Sequence, residues 1–202
     1  MKKFELTAEF VTNVFGKKLF RIKALVAFGD VSAGELGGFV EKEENLSNNG
    51  NAWVSGNACV YGDAQVYGDA QVSGDAQVSG NAWVSGNARV SGDAQVSGNA
   101  WVSGNAWVSG DARVSGDARV YGDADYAVVT GFGHCFRATT FFRCKDKILR
   151  VQCGCFYGDL AQFREIVKKT HGDSTYAKEY LAIADLMELH FSDEEENQEA
   201  AK

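Results

Sequence analysis

Proline is missing altogether from this chain of 202 residues. A chain that must bend often then lacks the ring that fixes φ near −65°, so glycine with Asn or Asp has to make its corners. Histidine is nearly missing too. His134, His171 and His190 are the three, all beyond residue 130. Histidine is the side chain whose ordinary pKa lies near neutrality, so residues 50–127 offer no neutral-pH general base unless an aspartate is perturbed. Cationic excess is lacking as well: 20 Lys and Arg stand against 27 Asp and Glu, a net charge of −7. Without a basic stripe, binding to nucleic acid through its phosphates is not expected. No apolar run approaches the ~20 residues that span a bilayer. The opening MKKFELTAEF has two lysines, but Glu5 and Glu9 break the apolar stretch a secretory leader needs. The five cysteines are an odd number in a chain that reads as unsecreted, which fits a reducing compartment. The expectation is a cytoplasmic protein with neither a membrane nor a nucleic-acid partner.

What is present is a repeat. From Gly50 to Ala127 the chain runs through thirteen consecutive six-residue units, Gly–(Asn/Asp)–Ala–x–Val–(Ser/Tyr), without insertion. A fixed internal period outranks other signals of fold. Within each unit Ala and Val are two apart, as Ala52 and Val54 are, and so share one face of a strand. The x and Ser/Tyr positions point the other way. Gly followed by Asn or Asp supplies a corner, because glycine accepts positive φ and Asn/Asp form Asx turns. Strands this short cannot hold a hairpin meander. They fit a coil of parallel strands in which each coil bonds those above and below. If three units make one coil, residues eighteen apart stack, and the interior is a solid column of Val and Ala with no room for a ligand.

The flanks read differently. Residues 4–26 carry two strands with a turn at Asn13–Lys17. Val40 and Leu46 are six apart, while Val54 follows at eight, which places a two-residue insertion near Asn48–Asn49. Residues 36–50 are thus an irregular first coil and cap. Beyond Val128, β-rich runs occur at Tyr126–Thr130, Cys135–Arg143 and Ile148–Cys153, with a charged turn at Lys145–Lys147. Asp159 with Gln162 makes a capping box for a helix whose apolar face is Leu160, Phe163, Ile166 and Val167, ending at Gly172. A second helix starts near Ser174, carries Tyr176, Tyr180, Ile183 and Met187, and ends about Phe191. The acidic residues from Asp193 to Glu199 read as a disordered tail. The division expected is 1–35, a short N-terminal β segment; 36–127, the solenoid; 128–191, a small α+β domain; and 192–202, the tail.

The spacing of Val54 with Ala58, Val60 with Ala64 and Val66 with Ala70, continued to Val120 with Ala124, resembles the hexapeptide-repeat family. That resemblance implies a mainly β protein built on a left-handed parallel β-helix of triangular section, three strands to a coil. Arg21–Leu25, Gly37–Glu41 and Cys153–Phe156 extend the likeness to phage and prophage hexapeptide-repeat proteins, a group that brings no activity with it. Enzymes of the wider family are mostly acyltransferases with a histidine base, often beside a loop that leaves the helix. Here the repeat holds no histidine and no loop.

Three constellations are candidates for function. Cys135, Cys144, Cys153 and Cys155 have the chemistry of a zinc site, with Cys153 and Cys155 on one strand face, but lack the C-x₂-C spacing. The sequence favours a thiol-lined core and no metal or other cofactor. Outward positions stack as Trp53, Gln71, Arg89 and Trp107; as Gln65, Trp83, Trp101 and Arg119; and as Cys59, Gln77, Gln95 and Arg113. Trp107 over Arg89 is a candidate cation–π pair. Exposed Trp and Arg on a shaft favour subunit or partner contact over simple ladder packing, and the family implies a parallel homotrimer. Asp75, Asp93 and Asp111 stack behind Asn57, where solvated Asx turns are favoured over a bridging cation. The expected role is a non-enzymatic structural or interaction protein of phage or prophage type. One alternative is a small-molecule binding or sequestering protein, taking a metabolite or nucleotide signal, with His134, Arg137 and His171 as contacts. The other is an acyltransferase-like enzyme.

Overall fold

The computed structural model describes residues 2–199, with side chains through Ser192. It divides into two compact units, Met1–Asp123 and Ala124–Lys202.

In the first unit β1 (Phe4–Thr12) and β2 (Lys18–Ala24) pair antiparallel. Asn13 makes their turn, its side-chain oxygen accepting from the backbone N–H of Phe15 and of Lys17, both at 3.0 Å. β3 (Leu36–Val40) lies antiparallel to β2 and parallel to Cys59–Val60. The N-terminal segment is therefore the edge of one solenoid sheet. Twelve two-residue strands follow, from β4 (Trp53–Val54) to β15 (Arg119–Val120). They form three parallel sheets in a parallel β-solenoid of about five turns. Partners are eighteen residues apart throughout, as in Trp53↔Gln71, Arg89↔Gln71 and Arg89↔Trp107. Each hexad from Gly50 to Ser91 makes three bonds to the next coil: the backbone N–H of Asp69 donates to the Gly86 carbonyl, Gln71 to Ala88 and Ser73 to Val90, each at 2.9 Å. Every Val from Val54 to Val120 and every Ala from Ala52 to Ala118 is within 1 % of complete burial. The interior is solid, as the alternation requires.

The first coil is offset. Val40 pairs with Val60 and Leu46 bridges to Val66, twenty residues on, before the spacing settles to eighteen at Val54 with Val72. Two extra residues therefore lie between Leu46 and Val54, and polar side chains take up the slack. The backbone N–H of Lys3 donates to Asn48 Oδ1 at 2.8 Å, and its Nζ donates to the carbonyls of Ala52 at 2.8 Å and Gly50 at 3.3 Å. Asn45, fully buried, donates both amide hydrogens, to the carbonyls of Gly62 at 3.0 Å and Ala64 at 2.8 Å. These two residues satisfy backbone carbonyls at the open end of the solenoid, which buried would otherwise go without donors.

The second unit has a four-stranded antiparallel sheet in chain order: β16 (Tyr126–Val129), β17 (Thr139–Arg143), β18 (Leu149–Cys153) and β19 (Phe156–Asp159). Two helices follow, α1 (Leu160–His171) and α2 (Thr175–Glu199). The core joins Phe141 and Val151 to Phe163, Tyr180, Ile183 and Met187. Asp159 and Gln162 form the expected capping box, with bonds of 2.8 and 3.0 Å. Gly172 ends α1 at φ +56°, its N–H bonded to the Lys168 carbonyl.

Three details differ from the sequence reading. β17 begins at Thr139 rather than Cys135, because Gly131, Gly133 and Phe136 all take positive φ and break the ladder. β19 is an additional strand, and Gly154–Cys155 is the two-residue turn that leads to it, so Cys153 and Cys155 do not share a strand face. α2 runs to Glu199, past the Phe191 end drawn from its apolar spacing. The expected acidic tail falls on residues whose side chains, from Asp193 onward, lie outside the described ones, and Ala200–Lys202 lie outside altogether. Among the described residues no helix is long and apolar enough to cross a membrane.

Candidate functional site

The outward columns stack as the period requires, but they are not equally accessible. Trp53 is 2 % exposed. Phe28 meets it edge-on, with ring centroids 5.4 Å apart, and a Cβ at Gly37 would come within 2.7 Å of its Cζ2. Trp53 is thus a core residue covered by the N-terminal segment, which corrects its assignment as a contact residue. Trp107 is 53 % exposed and donates its indole N–H to Ser91 Oγ at 3.1 Å. It pairs in register with the exposed Arg89.

The second column builds a continuous aromatic strip. Tyr67 meets Trp83 edge-on at 6.0 Å, and Trp83 meets Trp101 edge-on at 5.3 Å. Arg119 closes the strip, its guanidinium 5.6 Å from the Trp101 ring centroid. That guanidinium is fixed by bonds to the carbonyls of Ala118 at 2.8 Å and Asn99 at 3.0 Å. The cation–π contact on this strip therefore joins Arg119 to Trp101, next to the column where Trp107 over Arg89 was expected. Trp83 stays 41 % exposed. Edge-to-face geometry suits aromatic quadrupoles, so the rings of the strip hold one another in place. The third column, Cys59, Gln77, Gln95 and Arg113, carries no tryptophan.

The corners form amide ladders. Asn57 donates to Asp75, and Asn81 to Asn99 and Asn99 to Asp117, all at 3.1 Å. Asp75 is exposed, and Asp93 and Asp111 follow it at the same corner. Among the described residues no three His, Cys, Asp or Glu side chains converge as a metal-binding group.

The cysteines depart from the thiol-lined core. Cys144 is buried, but Cys135 and Cys155 are exposed and Cys153 is partly so. The reason is backbone: Cys135 sits in the positive-φ loop before β17, and Cys155 sits in the β18–β19 turn. Cys135, Cys153 and Cys155 instead line a cavity of about 280 Å³ in the second unit. The same cavity brings together His134, Arg137 and His171, the three residues singled out for ligand contact. Its floor is Phe156, Phe163 and Val167, with Tyr180 at the side. His134 Nδ1 lies 3.5 Å from Cys135 Sγ. The Tyr180 hydroxyl donates to the Phe132 carbonyl at 3.4 Å, and burial, then the Cys153 thiol, pushes its pKa up to about 12. At neutral pH Tyr180 is a neutral donor. Sequence reasoning missed Tyr180 and Phe156 as cavity residues; their apolar spacing marked only helix and strand faces. A second cavity, about 390 Å³, lies between the first coil and Gln65–Tyr67 and includes Glu43 and Glu44.

No curated protein matches the chain. The repeat is similar to the family model described as the YdcK beta solenoid repeat, which matches residues 52–68, 64–80, 70–86, 76–96, 94–110 and 112–124.

Proposed function

We propose that this chain is a non-enzymatic structural or interaction protein, a rigid shaft of left-handed hexapeptide-repeat type that assembles as a parallel homotrimer. The observation that carries this reading is the strip of Tyr67, Trp83, Trp101 and Arg119. A ladder with Trp83 41 % exposed and Trp101 half-buried, on an otherwise Gln-, Ser- and Asp-rich shaft, costs solubility without aiding the core, which is already filled by Val and Ala. Trp and Arg are the side chains that dominate interfaces. A second copy is the occupant whose spacing fits: rungs ~4.8 Å apart on one shaft match those of an identical shaft in register, and closed symmetry is the usual form of homo-oligomers. The phage or prophage setting rests on the likeness at Arg21–Leu25, Gly37–Glu41 and Cys153–Phe156. The cytoplasmic setting rests on the odd cysteine count.

Light scattering across a dilution series tests the reading. The wild-type chain should have three times its sequence mass. Replacing Trp83 and Trp101 together by Ala should weaken assembly by about a thousandfold per subunit, since each desolvated indole contributes ~2 kcal/mol. Replacing Gln77 and Gln95 together by Ala should leave it unchanged. A wild-type monomer, or a double Trp variant of unaltered mass at nanomolar dilution, would refute the trimer.

A further inference from the structure

We propose that the cavity of the second unit binds a small aromatic carboxylate. The inference is independent of the trimer. Twelve residues line the cavity and none is a carboxylate; the ionisable cations or potential cations among them are Arg137, His134 and His171. Its wall is apolar, formed chiefly by Phe156, Phe163, Ile166 and Val167. The cavity thus has a greasy interior and a mouth that favours negative charge.

Arg137 is the anchor. It is exposed and lies over the β18–β19 turn, with Nη1 within 2.8 Å of where a Cβ on Gly154 would stand. Gly154 itself takes φ +58°, so the turn runs directly beneath the guanidinium. A planar guanidinium pairs with a carboxylate through two parallel bonds. The loop that presents it is held in place: Gly133 N–H donates to Glu179 Oε2 at 2.9 Å, and Phe136 is kept at φ +50°. Left-handed backbone at a bulky residue persists only where surroundings impose it, and such strain gathers at ligand sites. The aromatic half of the ligand is set by the rings already present. Phe163 meets Tyr180 edge-on at 5.8 Å and lies tilted to Phe156 at 5.6 Å. His171 lies 5.8 Å from Tyr180 at a shallow tilt. About 280 Å³ sits at the lower end of ligand-pocket sizes, which admits one or two fused rings and excludes a dinucleotide.

Titration calorimetry of the full chain, with 2-naphthoate and its neutral isostere 2-naphthamide, tests this. The acid should bind with a dissociation constant below about 1 mM, and at least about tenfold tighter than the amide. Arg137→Gln, at an exposed position, should keep the melting temperature and bring the acid down to the affinity of the amide. Ile166→Trp, filling the apolar side, should weaken both probes alike. Backbone amide spectra should place the acid's shifts on residues 133–137, 153–156 and 166–171. Equal affinity for acid and amide, no saturable binding of the acid at 10 mM, an unaffected Arg137→Gln variant, or shifts confined to other residues would overturn the proposal.

Discussion

Lys3 shows how one residue can carry a measurable electrostatic load. It is 4 % exposed, its Nζ lies 4.5 Å from the Phe28 ring centroid, and burial lowers its pKa to about 8, against a smaller opposing pull from Asp69. An unfolded lysine holds its proton to about 10.5. Below pH 8 both states are protonated and the fold bears the cost of a buried ammonium. Between about 8 and 10.5 the unfolded chain binds more protons, so stability rises with pH. The wild type should gain about 2 kcal/mol over Lys3→Met between pH 7 and 10, read from denaturant midpoints; a flat difference would mean Lys3 titrates normally. Corner glycines make a second case. Gly86 has φ +63°, and a Cβ there would stand 3.0 Å from the Gly104 nitrogen and 3.1 Å from its carbonyl oxygen. Gly110 has φ +62° with open space around it. Both Ala variants carry the left-handed strain of ~1–2 kcal/mol, but Gly86→Ala should melt lower, since the coil below must also move. Trp53 was not legible at this scale. Its hexad position says outward, and only the path of Phe28 and Gly37, more than fifteen residues earlier, covers it.

The hexad is the element most plainly written in the sequence. Ala–x–Val alternation fixes which side is in, and the eighteen-residue stacking follows from three hexads to a coil. Val78→Asp should therefore abolish cooperative melting by burying an uncompensated charge. Gln77→Asp, one residue away and exposed, should shift the melting temperature by no more than a few degrees. Equal damage from the two would reverse the inward register. The first coil was legible as an insertion, from the eight-residue step between Leu46 and Val54, but its plug was not. Lys3 and Asn45 reach those carbonyls across the fold, and no local pattern announces such a contact. Asn45→Asp should be worse than Asn45→Ala, because it sets a carboxylate against the carbonyls of Gly62 and Ala64; thermal melts would rank them. In the second unit the helices were visible through their cap and periodicity. β19 was hidden because the strand is four residues long, and the pairing of Cys153 with Phe156 depends on a turn that the sequence marks only by Gly154.

At the scale of the molecule, the account holds that one solenoid face is made for another copy of itself. The sequence displayed the tryptophans but gave two columns equal weight; the burial of Trp53 leaves Tyr67, Trp83, Trp101 and Arg119 as the unbroken strip. Light scattering reports only mass, whereas site-specific photocrosslinking reports which face meets which. Gln65 lies on the strip, in register with Trp83, and Gln77 lies on the tryptophan-free face; both are exposed. A benzophenone side chain at Gln65 should capture an identical chain on irradiation, giving covalent dimers and trimers at micromolar protein, and the same group at Gln77 should give none. Equal capture from both positions, or none from Gln65, would contradict the account.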